Sequence, residues 1–227
     1  MGKKKIVIQP DGPYRVHGGI PLVRKTQIVS DQGEPLTWRR DETLEAGETY
    51  DLRRCGRSQD RPFCDLTHQR IAFDGTETAD TRPTAERQMI YPGSTGIVVK
   101  TDGWLCMSSG FCGNRLAQIR GLVQNTDDVN ARSNVIAMVE RCPSGSLTYA
   151  MAPGEPDIEP DLPQQIAVVT ETTSEGPITG PLWVTGNIPI ERADGQPFET
   201  RNRVTLCGCG RSRSKPLCDG THRFQEE

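Results

Sequence analysis

The stretch at residues 207–222, CGCGRSRSKPLCDGTH, constrains this 227-residue chain more than any other. Cys207 and Cys209 stand one residue apart, Cys218 follows nine positions after Cys209, and His222 lies four after Cys218, giving three thiolates and one imidazole. Both sulfurs of the first pair can face one metal atom only if the backbone between them bends sharply, which Gly208 permits. Pro216 interrupts any regular ladder, and Asp219 stands where a short helix could be capped. If that helix begins at Cys218, the spacing of four sets Cys218 and His222 on one face, toward a second metal atom. Two ligands plus two suit a dinuclear cluster. A single zinc ion in a structural module accepts the same Cys3His set and is the competing reading.

The string resembles the CDGSH iron–sulfur domain (mitoNEET-like), with Ser212, Pro216, Cys218, Asp219, Gly220, Thr221 and His222 filling that family's pattern. The resemblance implies a 2Fe-2S cluster, with Cys207 and Cys209 on the inner iron and Cys218 and His222 on the outer. A histidine in place of a thiolate raises the reduction potential of such a centre. If the other ring nitrogen faces water, reduction also couples to protonation and the outer iron becomes labile.

The two ends of the chain repeat one another. GPYRVHGGIPLV at residues 12–23 answers GPLWVTGNIPIE at residues 180–191, and RRCGRSQDRPFCDLTH at residues 53–68 answers the C-terminal cluster stretch. The offset falls from 168 to 154 residues, so the first copy holds 14 more, expected in loops near Ser30 and Asp41. Alternating apolar positions such as Tyr14 and Val16, or Leu182 and Val184, followed by Gly and Pro, read as short strands joined by turns. In the first copy Cys55, Cys64 and His68 answer Cys209, Cys218 and His222, while Arg53 stands where the second copy has Cys207, and Leu66 where it has Gly220. This site either still holds a 2Fe-2S cluster, completed by Arg53, another residue or water, or is a degenerate copy kept for its fold. A guanidinium is normally protonated and a poor ligand.

Between the copies lies a third pattern. Residues 97–100 (IVVK) read as a strand and TDGW as a turn, and CMSSGFC at residues 106–112 precedes Cys142, which is followed at once by Pro143. A bacterial ferredoxin run places three cysteines at intervals of three with a later Cys-Pro; here Cys106, Cys112 and Cys142 keep the outer positions and Ser109 takes the middle one. Three thiolates predict a 3Fe-4S cluster, and a 4Fe-4S cluster with Ser109 or water as oxygen ligand is the alternative. Asp127 or Asp128 can cap a helix that carries Val129, Val135, Ile136 and Val139 on one face and delivers Cys142 to the same pocket. The stretch resembles the divergent single-cluster ferredoxin domain.

The expected fold class is α+β. Two small β-rich CDGSH modules at residues 1–75 and 165–227 form a pseudo-twofold pair, with a central ferredoxin-like module at 93–152. Residues 69–91 read as a connector, and the proline- and acid-rich residues 153–164 as a stiff exposed linker. Hydrophobic residues make up only 34% of the chain and aromatic ones 5%, so clusters are expected to help hold the domains together.

All eight cysteines and two of the three histidines fall within the three motifs; His17 lies outside them. No Ser-His-Asp set and no glycine-rich phosphate loop follows a strand, so an enzyme is not expected. A net charge of −3 with mixed signs points away from nucleic acid. The absence of a long apolar run points away from the membrane, and thiols without an export signal point to a reducing cytoplasm. The expected function is electron transfer with a redox partner protein or reductase, by a chain that is monomeric because its two halves satisfy the pairing internally. A cluster donor or redox sensor is the alternative.

Overall fold

The alternating segments form strands, and the computed structural model, which describes residues 2–224, arranges them as two intertwined halves around a middle module. The first half contributes β1 (Lys5–Ile8), β2 (Tyr14–His17), β3 (Leu22–Val29), β4 (Pro35–Leu44), β5 (Thr49–Leu52) and a one-turn helix α1 (Thr67–Arg70), after which α2 (Thr84–Arg87) lies in the connector. The middle module is β6 (Met89–Pro92), β7 (Val98–Thr101), α3 (Ile119–Val123), α4 (Val129–Arg141) and β8 (Leu147–Ala150). The second half contributes β9 (Gln165–Thr173), β10 (Gly176–Thr185), β11 (Ile190–Glu191) and β12 (Arg203–Leu206). Among the described residues no helix is long and apolar enough to cross a membrane.

Each half builds an antiparallel three-stranded sheet, β1-β2-β5 and β9-β10-β12, and each sheet is extended by a strand from the other half. β3 pairs parallel with β9, with Leu22 opposite Ile166; β11 pairs parallel with β1, with Ile190 opposite Ile6. Leu22 answers Ile190 in the sequence repeat, so the two pairings are mates under a pseudo-twofold exchange. The exchange closes a backbone edge on each sheet that would otherwise be left open.

Period-2 burial follows from this arrangement. Tyr14 and Val16 point inward while Arg15 between them faces water. The inward faces of both halves form one core that includes Ile6, Ile8, Val16, Leu22 and Leu52 with Ile166, Val184, Ile188 and Leu206. Each fully buried side chain of this kind contributes about 1.5–3 kcal/mol over leaving it exposed. Tyr14 crosses between halves, its hydroxyl donating to the carbonyls of Cys207 at 2.9 Å and Pro216 at 3.1 Å. A separate core, built on Ile97, Val99, Val123, Val135, Val139 and Tyr149, holds the middle module.

Two expectations need correction. The extra residues of the first copy are not loop: they build β4, which pairs with β3 from Leu22↔Leu44 to Val29↔Pro35 and widens the second half's sheet to five strands. On α4 the Asp128 carboxylate accepts from the amides of Asn130 and Ala131, as a cap should, but Val129 is exposed. The buried stripe is Ala131, Val135 and Val139, set at i, i+4 and i+8.

The halves meet most closely at two glycine turns. Gly56 and Gly210 both have φ of +76°; a Cβ on Gly56 would fall on the Cys209 carbonyl, and one on Gly210 would lie 2.8 Å from the Cys55 carbonyl. Gly33, at φ +79°, has nothing within 4 Å of its Cβ position. Gly33→Ala is therefore expected to cost only the left-handed penalty of about 1–2 kcal/mol. Gly56→Ala adds displacement of the opposite half to that penalty and should lower the holoprotein's thermal midpoint clearly further. Equal shifts in the two variants would contradict the close approach.

Candidate functional site

In the second half, β12 delivers the chain into the loop at residues 207–220, which is pinned by bonds a metal-free argument can trace. The Cys207 amide donates to the Pro216 carbonyl at 2.8 Å, the Cys218 amide to the Thr205 carbonyl at 2.9 Å, and the Ser212 hydroxyl to the Leu217 carbonyl at 2.7 Å. Asp219 accepts from the amides of Arg213 and Thr221, both at 3.0 Å. Local polar residues thus fold the loop tightly around its ligands. The helix expected from Cys218 is only a 3-10 turn over Thr221–Arg223, because Gly220 stands at φ +87° in the left-handed region. That turn still brings the Cys218 Sγ to 3.4 Å from the His222 Nδ1, while the sulfurs of Cys207 and Cys209 are 3.7 Å apart.

Cys207 and Cys209 share a hydrogen bond that raises the first thiol well above its ordinary range and brings the second down to about 5. Burial pushes Cys218 up, so this buried sulfur resists ionisation unless a cation lies beside it. Two close pairs, Cys207 with Cys209 and Cys218 with His222, all buried except the half-buried Cys209, fit an iron–sulfur group by the chemistry of the donor set.

The other ring nitrogen of His222 does not face water. His222 is buried, and its Nε2 lies 3.2 Å from Oε1 of Glu171 on β9, which is itself fully buried and also paired with Arg223. A carboxylate on the far side of a ligating imidazole fixes its tautomer and orientation. Glu171 belongs to no motif in QIAVVTETT; an acid two positions after the apolar run AVV, on the same face as Ala167 and Val169, is the only signal for it in the sequence.

The first half repeats the frame with fewer ligands. The Arg53 amide donates to the Pro62 carbonyl at 2.9 Å, Ser58 to the Phe63 carbonyl at 2.7 Å, and the Cys64 Sγ lies 3.2 Å from the His68 Nδ1. Cys55 is buried and close enough to Cys64 for their charges to interact. Arg53 is buried, and burial, with Arg61 nearby, pulls its pKa below the ordinary guanidinium value. Its Nη1 donates to the Gly56 carbonyl at 3.3 Å, and its charge senses Cys55, Cys209 and Cys207. Arg53 thus sits between the two loops.

In the middle module Cys106, Cys112 and Cys142 line one cavity of about 250 Å³ together with Ser108, Ser109 and Ser144. Burial raises Cys112, and the charges of Cys106 and Cys142 raise it further. α4 delivers Cys142 as expected, and Ser144 lies with its Oγ 3.6 Å from the Cys142 Sγ, a neighbour the motif did not reveal. Three thiols around a largely apolar cavity fit a polynuclear group. Cys106 is exposed. His17 lies on β2, outside all three sites.

Comparison with known protein families agrees with this geometry. The family described as iron-binding zinc finger of CDGSH type matches residues 11–69 and 179–223, and the family described as divergent 4Fe-4S mono-cluster matches residues 94–152. No curated protein and no solved structure matched the chain. With Glu171 holding His222, Glu171→Ala should speed iron loss to a chelator by about 10- to 100-fold at the C-terminal centre, the span typical of lost outer partners. Glu171→Gln, which keeps an acceptor, should fall between. Retention indistinguishable from the wild type in both would show that Glu171 does not support the ligand.

Proposed function

We propose that this iron–sulfur protein, with two CDGSH-type segments flanking a divergent mono-cluster domain, is a multi-cluster electron carrier rather than an enzyme. In this reading Cys207, Cys209, Cys218 and His222 hold a 2Fe-2S cluster. Cys55, Cys64 and His68 hold a second, and Cys106, Cys112 and Cys142 hold a 3Fe-4S cluster, or a 4Fe-4S cluster if Ser109 adds an oxygen ligand. When bound, these groups supply one-electron exchange. Among the described residues no three Cys, His, Asp or Glu side chains converge as for a single ion. Ligands grouped in pairs or spread around a cavity suit shared iron atoms better than zinc.

The observation that carries electron transfer over cluster donation is the burial of Cys218 and His222, each 2% exposed. With these two ligands buried and only Cys209 partly exposed, the site opens little to water, and an electron needs no opening. Exposed Cys106 offers a redox partner or reductase an approach to the middle centre. Because strand exchange is satisfied within one chain, a monomer is the proposed working state. Mixed surface charge gives no field for nucleic acid.

A second reading has its own support at the other end. His68 lines an open surface pocket with Pro10, Asp11 and Phe73, and Leu66 beside it is exposed. His68 itself is buried, so this pocket supports cluster donation from the N-terminal site only through its histidine side.

Two measurements separate these functions. Rapid, reversible reduction by a reductase without loss of iron is expected, with negligible cluster transfer to an apo-ferredoxin; transfer outpacing reduction would overturn the carrier reading. Anaerobic counting should give about 7 iron for two 2Fe-2S and one 3Fe-4S cluster, and about 5 if the N-terminal site is empty. Arg53→Cys should leave the first number unchanged and convert the N-terminal signal to one resembling the C-terminal centre.

A further inference from the structure

The middle module rests on the five-stranded sheet, which combines β9, β10 and β12 of the second half with β3 and β4 of the first. Arg203 of β12 is buried and caps the end of α4, its Nη1 donating to the Glu140 carbonyl at 2.8 Å and its Nη2 to the Val139 carbonyl at 3.1 Å. Arg201 donates to the Gly145 carbonyl at 3.0 Å. These contacts tie the helix that delivers Cys142 to the strand that delivers Cys207.

The cysteine loop of the middle module is seated on the same sheet. Gln27 of β3 donates to the Ser109 carbonyl at 3.2 Å, Trp38 of β4 packs on Phe111 with ring centroids 5.5 Å apart, and Glu34 accepts from the Arg115 amide at 2.9 Å. The inserted strand therefore serves as part of the seat.

A close approach joins the two cluster-holding loops themselves. A Cβ on Gly220 would stand 2.8 Å from the Met107 carbonyl and 3.2 Å from the Ser108 side chain. Gly220 lies between Cys218 and His222; Met107 and Ser108 follow Cys106. Only a residue without a side chain leaves room for this contact. In the other half the matching position is Leu66, also left-handed at φ +67°, and its side chain is 55% exposed.

Building on the electron-carrier reading, we propose that the Met107–Ser108 backbone against Gly220 is an internal junction. Through it one electron passes from the centre held by Cys106, Cys112 and Cys142 to the centre held by Cys207, Cys209, Cys218 and His222. One iron site is oxidised and the other reduced; no proton or atom moves. The first electron comes from an external one-electron donor, a flavoprotein or iron–sulfur protein, approaching at exposed Cys106. The imidazole favours this direction, since it raises the potential of the receiving centre above that of the same cluster held by four thiolates. The next contact, Gly56 against Cys209 and Gly210 against Cys55, extends the order to the N-terminal site.

The test is EPR of the full holoprotein during stepwise reduction by dithionite, with ferricyanide to reverse it. With both centres paramagnetic, the wild type should show broadened, non-additive signals relative to the sum of spectra from Cys142→Ala and Cys218→Ala, each lacking one centre, less one copy of the N-terminal signal recorded from the Cys142→Ala/Cys218→Ala double variant. Gly220→Ala should weaken that interaction and Gly220→Leu should abolish it, whereas Leu66→Gly should leave it intact. Additive wild-type spectra from reversibly reduced centres would overturn the junction while sparing the carrier reading. Failure of any centre to reduce reversibly would overturn both. The wild-type comparison stands even if Gly220→Leu does not fold.

Discussion

A three-stranded antiparallel sheet has two edges of unpaired backbone groups, and here each half of the chain closes one edge with a strand from the other. The reciprocal pairing of β3 with β9 and β11 with β1 makes the halves inseparable. It also places one mixed core under both ligand loops, with Tyr14 reaching across to hold the carbonyls of Cys207 and Pro216. The position of every ligand in the outer modules follows from that exchange, because the loops spring directly from β5 and β12. Gly56 and Gly210 then let the loops approach back to back.

On this common frame the halves have diverged in ways that belong together. The five-stranded sheet carries the middle module, and there the chain has Gly220 under Met107, Arg203 under α4 and β4, from the first half, at the sheet's edge. Glu171, in the strand that pairs with β3, turns inward to His222. Its counterpart by strand register is Asp11, which instead accepts from the Gly75 amide at 2.8 Å and so serves the connector. The first half has exposed Leu66 where the second has Gly220, and its His68, though buried, lines a surface pocket. Near-identical loop bonds thus surround two sites that differ in what lies beyond the histidine.

Much of this was legible in the sequence because ligands and turn residues act locally. The spacing in CGCGRSRSKPLCDGTH, the repeat, the Asp128 cap and the Cys-Pro at Cys142 each describe interactions within a few residues. Strand exchange was not legible, since a repeat says which segments are alike and not which copy a strand pairs with. PLTWRRDETL carries little apolar pattern and so predicts loop; it is an edge strand whose polar and charged side chains are mostly in water. The helix expected at Cys218 failed for a local reason, the left-handed Gly220, which the packing of Met107 requires. Glu171 and its histidine are 51 residues apart, beyond any motif.

Hydrogen exchange of the holoprotein, resolved along the chain, tests the exchange of strands most directly. If the halves are one interlocked unit, the amides of β1, β2 and β5 should open together with those of β9, β10 and β12, at a single free energy. An N-terminal half that exchanges well ahead of the C-terminal half, leaving the latter protected, would contradict it.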